Sequence, residues 1–193
     1  MFEDQELVEE VLAGDDDTFA VLVERYERDV YNLAYRMLGN VGEAEDAAQE
    51  GFLRAYKHLS RYDPKRSFKT WLLSITSNHC IDRLRKRRIT WLPIDEPLPP
   101  HPALRSSEAG PEDSVIESER TAQVQELLDN LAPDYRAAVV LRYWYDMSYA
   151  EIAATLETTE SAIKSRLFRA RQMLAEHARA SETGQWAVAL EGA

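Results

Sequence analysis

The chain has 193 residues, enough for one or two small domains, and a formal net charge of -11. Its single cysteine excludes an internal disulfide and a cysteine-rich zinc site, and its four histidines are too scattered to suggest a bound metal or other cofactor. No apolar run approaches the roughly 20 residues that cross a bilayer, so the chain reads as cytoplasmic, without direct membrane insertion.

The acidic total hides two basic islands. Residues 64–91 carry 8 Lys and Arg against 1 acid, and residues 161–180 carry 5 against 1. Such a layout suits a protein that touches a polyanion at two places and another partner with its acidic surface.

Taken in order, Asp4 to Ala13 predicts a short helix stopped by Gly14. Asp15-Asp16-Asp17-Thr18 then supplies caps and first-turn acids for a longer helix through Met37, halted at Gly39-Asn40. A third helix is predicted from Val41 or Gly42 to Leu59, with Ala44, Ala47, Ala48, Leu53, Tyr56 and Leu59 available for a core. Its other faces show Asp46, Gln49, Glu50, Arg54 and Lys57, which read as an interface or simply as a solvated surface.

Ser60 to Ser67 reads as a loop around Asp63-Pro64. After it, Phe68, Trp71, Leu72 and Ile75 mark the apolar face of a helix continuing to Arg88. Its end is strongly cationic, with Arg83, Arg85, Lys86, Arg87 and Arg88, and Asn78 and His79 lie just upstream. Cations for phosphate, aromatics for stacking and an amide for a base edge are what an opened DNA strand requires. A core tryptophan and helix-end cations favoured by the macrodipole are the plainer alternatives.

The segment from Pro93 to Ile116 is rich in proline and acids and lacks apolar periodicity, as in a linker. Beyond it, Glu117 to Leu131 predicts a helix, and Pro133-Asp134 opens another through Tyr143, with Ala137, Val140, Leu141 and Trp144 as its packing face. Ser148 and Glu151 then form a capping box, and Glu157-Thr158-Thr159 separates that helix from a second one. On the second helix Ile163, Leu167, Ala170 and Leu174 form an inward stripe, while Ser161, Ala162, Ser165 and Arg169, flanked by Lys164 and Arg166, face away. This is the pattern of a helix-turn-helix whose second helix enters the major groove, although a bundle end with a solvated basic face shares much of it.

Together, DAAQEGFLRAYKHLSRYD (46–63), FKTWLLSITSNHCIDRLRKRR (68–88) and LRYWYDMSYAEIAATLETTESAIKSRLFRAR (141–171) resemble bacterial sigma factors of the extracytoplasmic-function group in the sigma-70 family. The resemblance implies an all-α protein: a region 2 domain over 1–92, a linker over 93–116, a region 4 domain over 117–180 and a tail over 181–193. It implies that Asp46, Gln49, Glu50, Leu53, Arg54 and Lys57 dock on the clamp helices of the largest subunit of core RNA polymerase. Phe68, Trp71, Asn78, His79, Arg83, Arg85, Lys86 and Arg87 would capture the minus-10 element of promoter DNA. Thr159, Glu160, Ser161, Ala162, Lys164, Ser165, Arg166, Arg169 and Arg171 would read the minus-35 element. An inhibitory anti-sigma partner is implied as well. Two features depart from the common pattern: Glu157 stands where many helix-turn-helix turns carry glycine, and the surroundings of His79-Cys80 are less typical. A polymerase-independent helix-turn-helix regulator is the alternative, and no phosphate loop, metal cluster or nucleophile motif suggests an enzyme.

Overall fold

A computed structural model describes residues 3–90 and 122–180, with side chains for 3–87 and 122–177. The predicted linker, the tail from Ser181 and the start of the helix expected from Glu117 lie outside the described residues. Eight α-helices and two single 3-10 turns make up the described secondary structure, and no strand occurs among these residues.

Helix α1 (Asp4–Leu12) precedes α2 (Phe19–Leu38), which ends where Gly39 turns left-handed at φ 72° and its N–H donates to the Tyr35 carbonyl. Asn40 then caps α3 (Val41–Lys57) by accepting from the Glu43 N–H at 3.0 Å. Helix α4 (Phe68–Thr90) follows a 3-10 turn at Leu59–Arg61 and packs across α2 and α3. Where α3 meets α4 the backbones come close: a Cβ at Gly51 would lie 2.5 Å from Thr76 Oγ1, so only glycine fits.

The buried face of α3 is Ala44, Ala47, Gly51, Phe52 and Ala55, followed by Leu59 in the turn. Two residues expected in that core lie outside it. Leu53 is 54% exposed, and Tyr56 points outward to donate its hydroxyl to Asp16 at 2.6 Å. The small residues of the buried face allow the close approach of α4, and Phe52 is its one bulky member.

The second group comprises α5 (122–129), α6 (Pro133–Tyr145), α7 (Tyr149–Thr155) and α8 (Glu160–Ala180). Pro133 begins α6 at the position where a missing N–H costs nothing. From Arg136 to Leu141 every residue of α6 is buried, the signature of a helix covered on all sides. Helices α7 and α8 cover one side, and α2 and α4 cover the other. Trp144, expected to pack inside, is partly exposed beneath the Arg36 guanidinium, 5.1 Å from its ring. The two helical groups therefore meet along α6.

Candidate nucleic-acid interface

The α3 candidates line up first. Asp46, Gln49, Glu50, Leu53, Arg54 and Lys57 recur at three- and four-residue steps and share one outward face of the helix. Arg54 donates to Glu50 at 2.6 Å, and this bond, before any other cause, holds the Glu50 carboxyl below the usual range. Four of these residues, Asp46, Gln49, Glu50 and Leu53, line a groove of about 320 Å³ with His79 and Arg83 of α4. Two sets that were separate in the sequence thus share one depression.

His79 is half-buried there. Burial first, then the nearby Arg54 and Arg83 cations, lower its pKa below the ordinary imidazole value despite Glu50, and so favour the neutral ring. Cys80 behind it is fully buried, and its thiol is pushed up to about 12, which makes it an inert packing residue. Among the described residues no group of three His, Cys, Asp or Glu side chains could hold a metal ion.

Phe68 requires a correction. Expected at the DNA surface, it is 1% exposed, packed among Tyr26, Tyr62 and Trp71 with ring centroids 5.5–5.8 Å away. It opens α4 by anchoring the helix to α2 and has no face left for a base. Trp71 is only partly buried, on the outer side of the same cluster.

The cations of α4 are paired within the chain. Arg83 approaches Asp46 at 3.9 Å, Arg85 holds Asp134 at 2.8 Å, and Arg87 pairs with Glu43. Asn78 is exposed, and its amide donates to the Thr155 carbonyl at 3.0 Å. Lys86 is exposed beyond them.

The helix-turn-helix is built as its sequence reads. Ser148 and Glu151 cap α7 reciprocally, and the bonds from Ser148 lower the Glu151 pKa. The turn places Glu157 in the left-handed region at φ 49°, while the Thr158 N–H reaches back to the Ala153 carbonyl. Thr159 then caps α8 by accepting from the Ala162 N–H at 3.2 Å.

Ile163, Leu167, Ala170 and Leu174 are buried, so the opposite face of α8 is fixed outward. Thr159, Glu160, Ser161, Lys164, Ser165 and Arg169 are exposed on it, with Ala162, Arg166 and Arg171 half-buried. Lys164 and Arg142 both lie over the Tyr149 ring, at 5.7 and 5.4 Å. One residue of this face was missed in the sequence: Phe168, 55% exposed, stands three positions after Ser165. Its signal was a bulky aromatic between buried Leu167 and exposed Arg169, off the apolar stripe.

Comparisons with known proteins show the family. The Sigma-70 region 2 family matches residues 22–89, and the Sigma-70, region 4 family matches residues 121–174. The chain is 37% identical over 178 residues to the ECF RNA polymerase sigma factor SigW of Bacillus subtilis, covering 89% of this chain and 95% of that one. The chain belongs to the extracytoplasmic-function sigma factors. Two solved structures share the sigma-factor fold, each 24% identical: CnrH in complex with the cytosolic domain of CnrY (TM-score 0.66, covering 92% of this chain and 97% of that one) and the Bartonella quintana sigma factor RpoE with the anti-sigma factor NepR (TM-score 0.61, covering 82% and 94%). In this sigma factor, no described helix is long and apolar enough to cross a membrane.

Proposed function

We propose that this sigma factor directs core RNA polymerase to promoters through three surfaces: the exposed α3 face for polymerase, α4 for the minus-10 element and α8 for the minus-35 element. The observation that carries the assignment is that two outward cationic helices, each within a separately matched sigma-70 region, stand on one chain. In this reading residues 1–92 form the region 2 unit and 117–180 the region 4 unit, joined by 93–116, and the protein performs no covalent chemistry.

Each surface suits its task chemically. Groove-lining Leu53 offers an apolar anchor within a charged rim, the usual make-up of a protein interface. On α8, small residues near the N-terminus allow close approach to base edges, Lys164 and Arg169 reach phosphates, and Phe168 offers an apolar contact for a thymine methyl. An anti-sigma partner, such as the one that holds RpoE of Bartonella quintana, belongs to the same reading, as does action in the cytoplasm beside polymerase and DNA.

The test is transcription with purified core enzyme on a fragmented genomic library. The expected outcome is a set of mapped starts that appears only when this protein is added and that shares two upstream elements at constant spacing. Stable association with core but no such starts would overturn the reading.

A further inference from the structure

Arg142 is a cation with no part in the three surfaces assigned above. It stands in the last turn of α6, half-buried, with Nη1 donating to the Met147 carbonyl at 3.1 Å. Its guanidinium lies over the ring of Tyr149, 5.4 Å from the centroid, and Lys164 Nζ of α8 lies over the same ring at 5.7 Å. Tyr149 is the first residue of α7, set in place by the reciprocal cap of Ser148 and Glu151, and is 37% exposed. One aromatic ring therefore joins a cation from the helix before it to a cation from the helix after it.

Like charges repel, so gathering two cations on one ring is unfavourable unless something offsets it. Neither cation forms an ion pair among the described residues. The one carboxylate on α7, Glu151, is taken by the Ser148 N–H at 2.8 Å and the Ser148 hydroxyl at 2.7 Å. What holds the pair is the negative face of the ring, which attracts each cation without cancelling its charge. An anion meeting the pair from solvent would complete it with charge-assisted hydrogen bonds.

The ring also settles an entropic question. Lys164 is exposed, and a long side chain on an exposed helix face loses its rotamer freedom when an anion fixes it. A side chain already ordered in the free protein loses less, and binding is tighter by that difference. Arg142 is ordered twice over, by the Met147 carbonyl and by the ring. Lys164 has the ring.

We propose that Tyr149 is a positioning residue whose ring gathers Arg142 and Lys164 into a pre-ordered cation pair for the phosphate backbone of the duplex that α8 reads. The proposal rests on the reading of α8 as the duplex-facing helix. Tyr149 acts through the two cations. It sets affinity and not sequence preference, because phosphates carry no base identity.

The test titrates full-length protein with a fluorescent duplex of mixed sequence at several salt concentrations. Tyr149→Leu should weaken binding by about fivefold at every concentration with the salt slope unchanged, since both cations remain and only their ordering is lost. Tyr149→Phe, which keeps the ring, should recover the affinity to within about twofold. Lys164→Met should instead lower the slope by about one. Phenylalanine bearing one, two or three fluorines at position 149 keeps the ring's shape while draining negative charge from its face, so affinity should fall stepwise along that series. The series also keeps the test valid if Tyr149→Leu fails to fold. In the free protein the ring current should move the Lys164 ε-methylene protons upfield, and Tyr149→Leu should abolish that shift. A flat fluorine series, a leucine variant that binds as tightly as the unchanged chain, or Lys164 protons without the shift would each overturn the positioning role. Lys164→Met with unchanged affinity and slope would instead overturn the reading of α8 and the site built on it, while the proton shift would still report the contact with the ring.

Discussion

Helices α4 and α8 are both basic, both about six turns long, and both candidates for DNA contact, yet they stand in opposite electrostatic states. On α4, Arg83, Arg85 and Arg87 each face a carboxylate from α3 or α6. On α8, no acidic residue occurs between Ser161 and Ala175, and Arg166 and Arg169 form no ion pair among the described residues. The acids of α3 and α6 stand where phosphates would otherwise stand against α4. The difference teaches that α8, proposed to read duplex, is available as folded, whereas α4, proposed to open the promoter, has to exchange internal partners before it can meet DNA.

The strongest way to test the α4 half is at its first residue. Phe68→Ala should cost about 3–5 kcal/mol of stability, the usual penalty for emptying an aromatic site in a packed core. Trp71→Ala, on the outer side of the cluster, should cost less stability and weaken binding to bubble DNA. Chemical denaturation of the two variants checks this order. A Phe68→Ala protein within about 1 kcal/mol of the unchanged chain would place Phe68 outside the core.

A smaller effect addresses the electrostatic contrast directly. Lys164→Ala and Arg169→Ala should each lower the slope of log affinity against log salt by about one if each meets one phosphate, as proposed. Arg83→Ala and Arg87→Ala should change that slope by much less than one, because Asp46 and Glu43 already neutralise these cations in the free chain. Equal slope changes on both helices would break the comparison. Titrations of the four variants at several salt concentrations decide it.

Legibility in the sequence followed the type of signal. The α8 stripe was readable because Ile163, Leu167 and Leu174 repeat at helical spacing, and the α7 cap because Ser148 and Glu151 leave a local signature. On α3 the expected core residues Ala44, Ala47 and Leu59 are buried, but the conspicuous Leu53 and Tyr56 are not, and Gly51, Phe52 and Ala55 complete the face in their place. Phe68 misled for a related reason, since an aromatic at a helix start serves a core or a stacking surface equally well. Phe168 lies off the apolar stripe and is neither small nor cationic like its neighbours on that face, so no pattern in the sequence marks it. The packing of the two helical groups left no local trace at all: Arg136 reaches a carbonyl 99 positions away, and no periodicity records that.

The smallest predicted effect lies in the turn that aims α8. At φ 49°, Glu157 adopts a conformation that costs a residue with a Cβ about 1–2 kcal/mol, and the side chain is exposed. Its carboxylate therefore offers no burial to offset that strain. Glu157→Gly removes the steric cost but adds freedom to the unfolded chain, so the net gain should be about 0.5–1 kcal/mol. Glu157→Ala, which keeps a Cβ, should gain nothing, and the pair isolates backbone geometry from the lost charge. Thermal unfolding of both variants provides the measurement. A glycine variant no more stable than the alanine variant would mean that the left-handed turn carries no strain, and that Glu157 replaces the customary glycine without penalty.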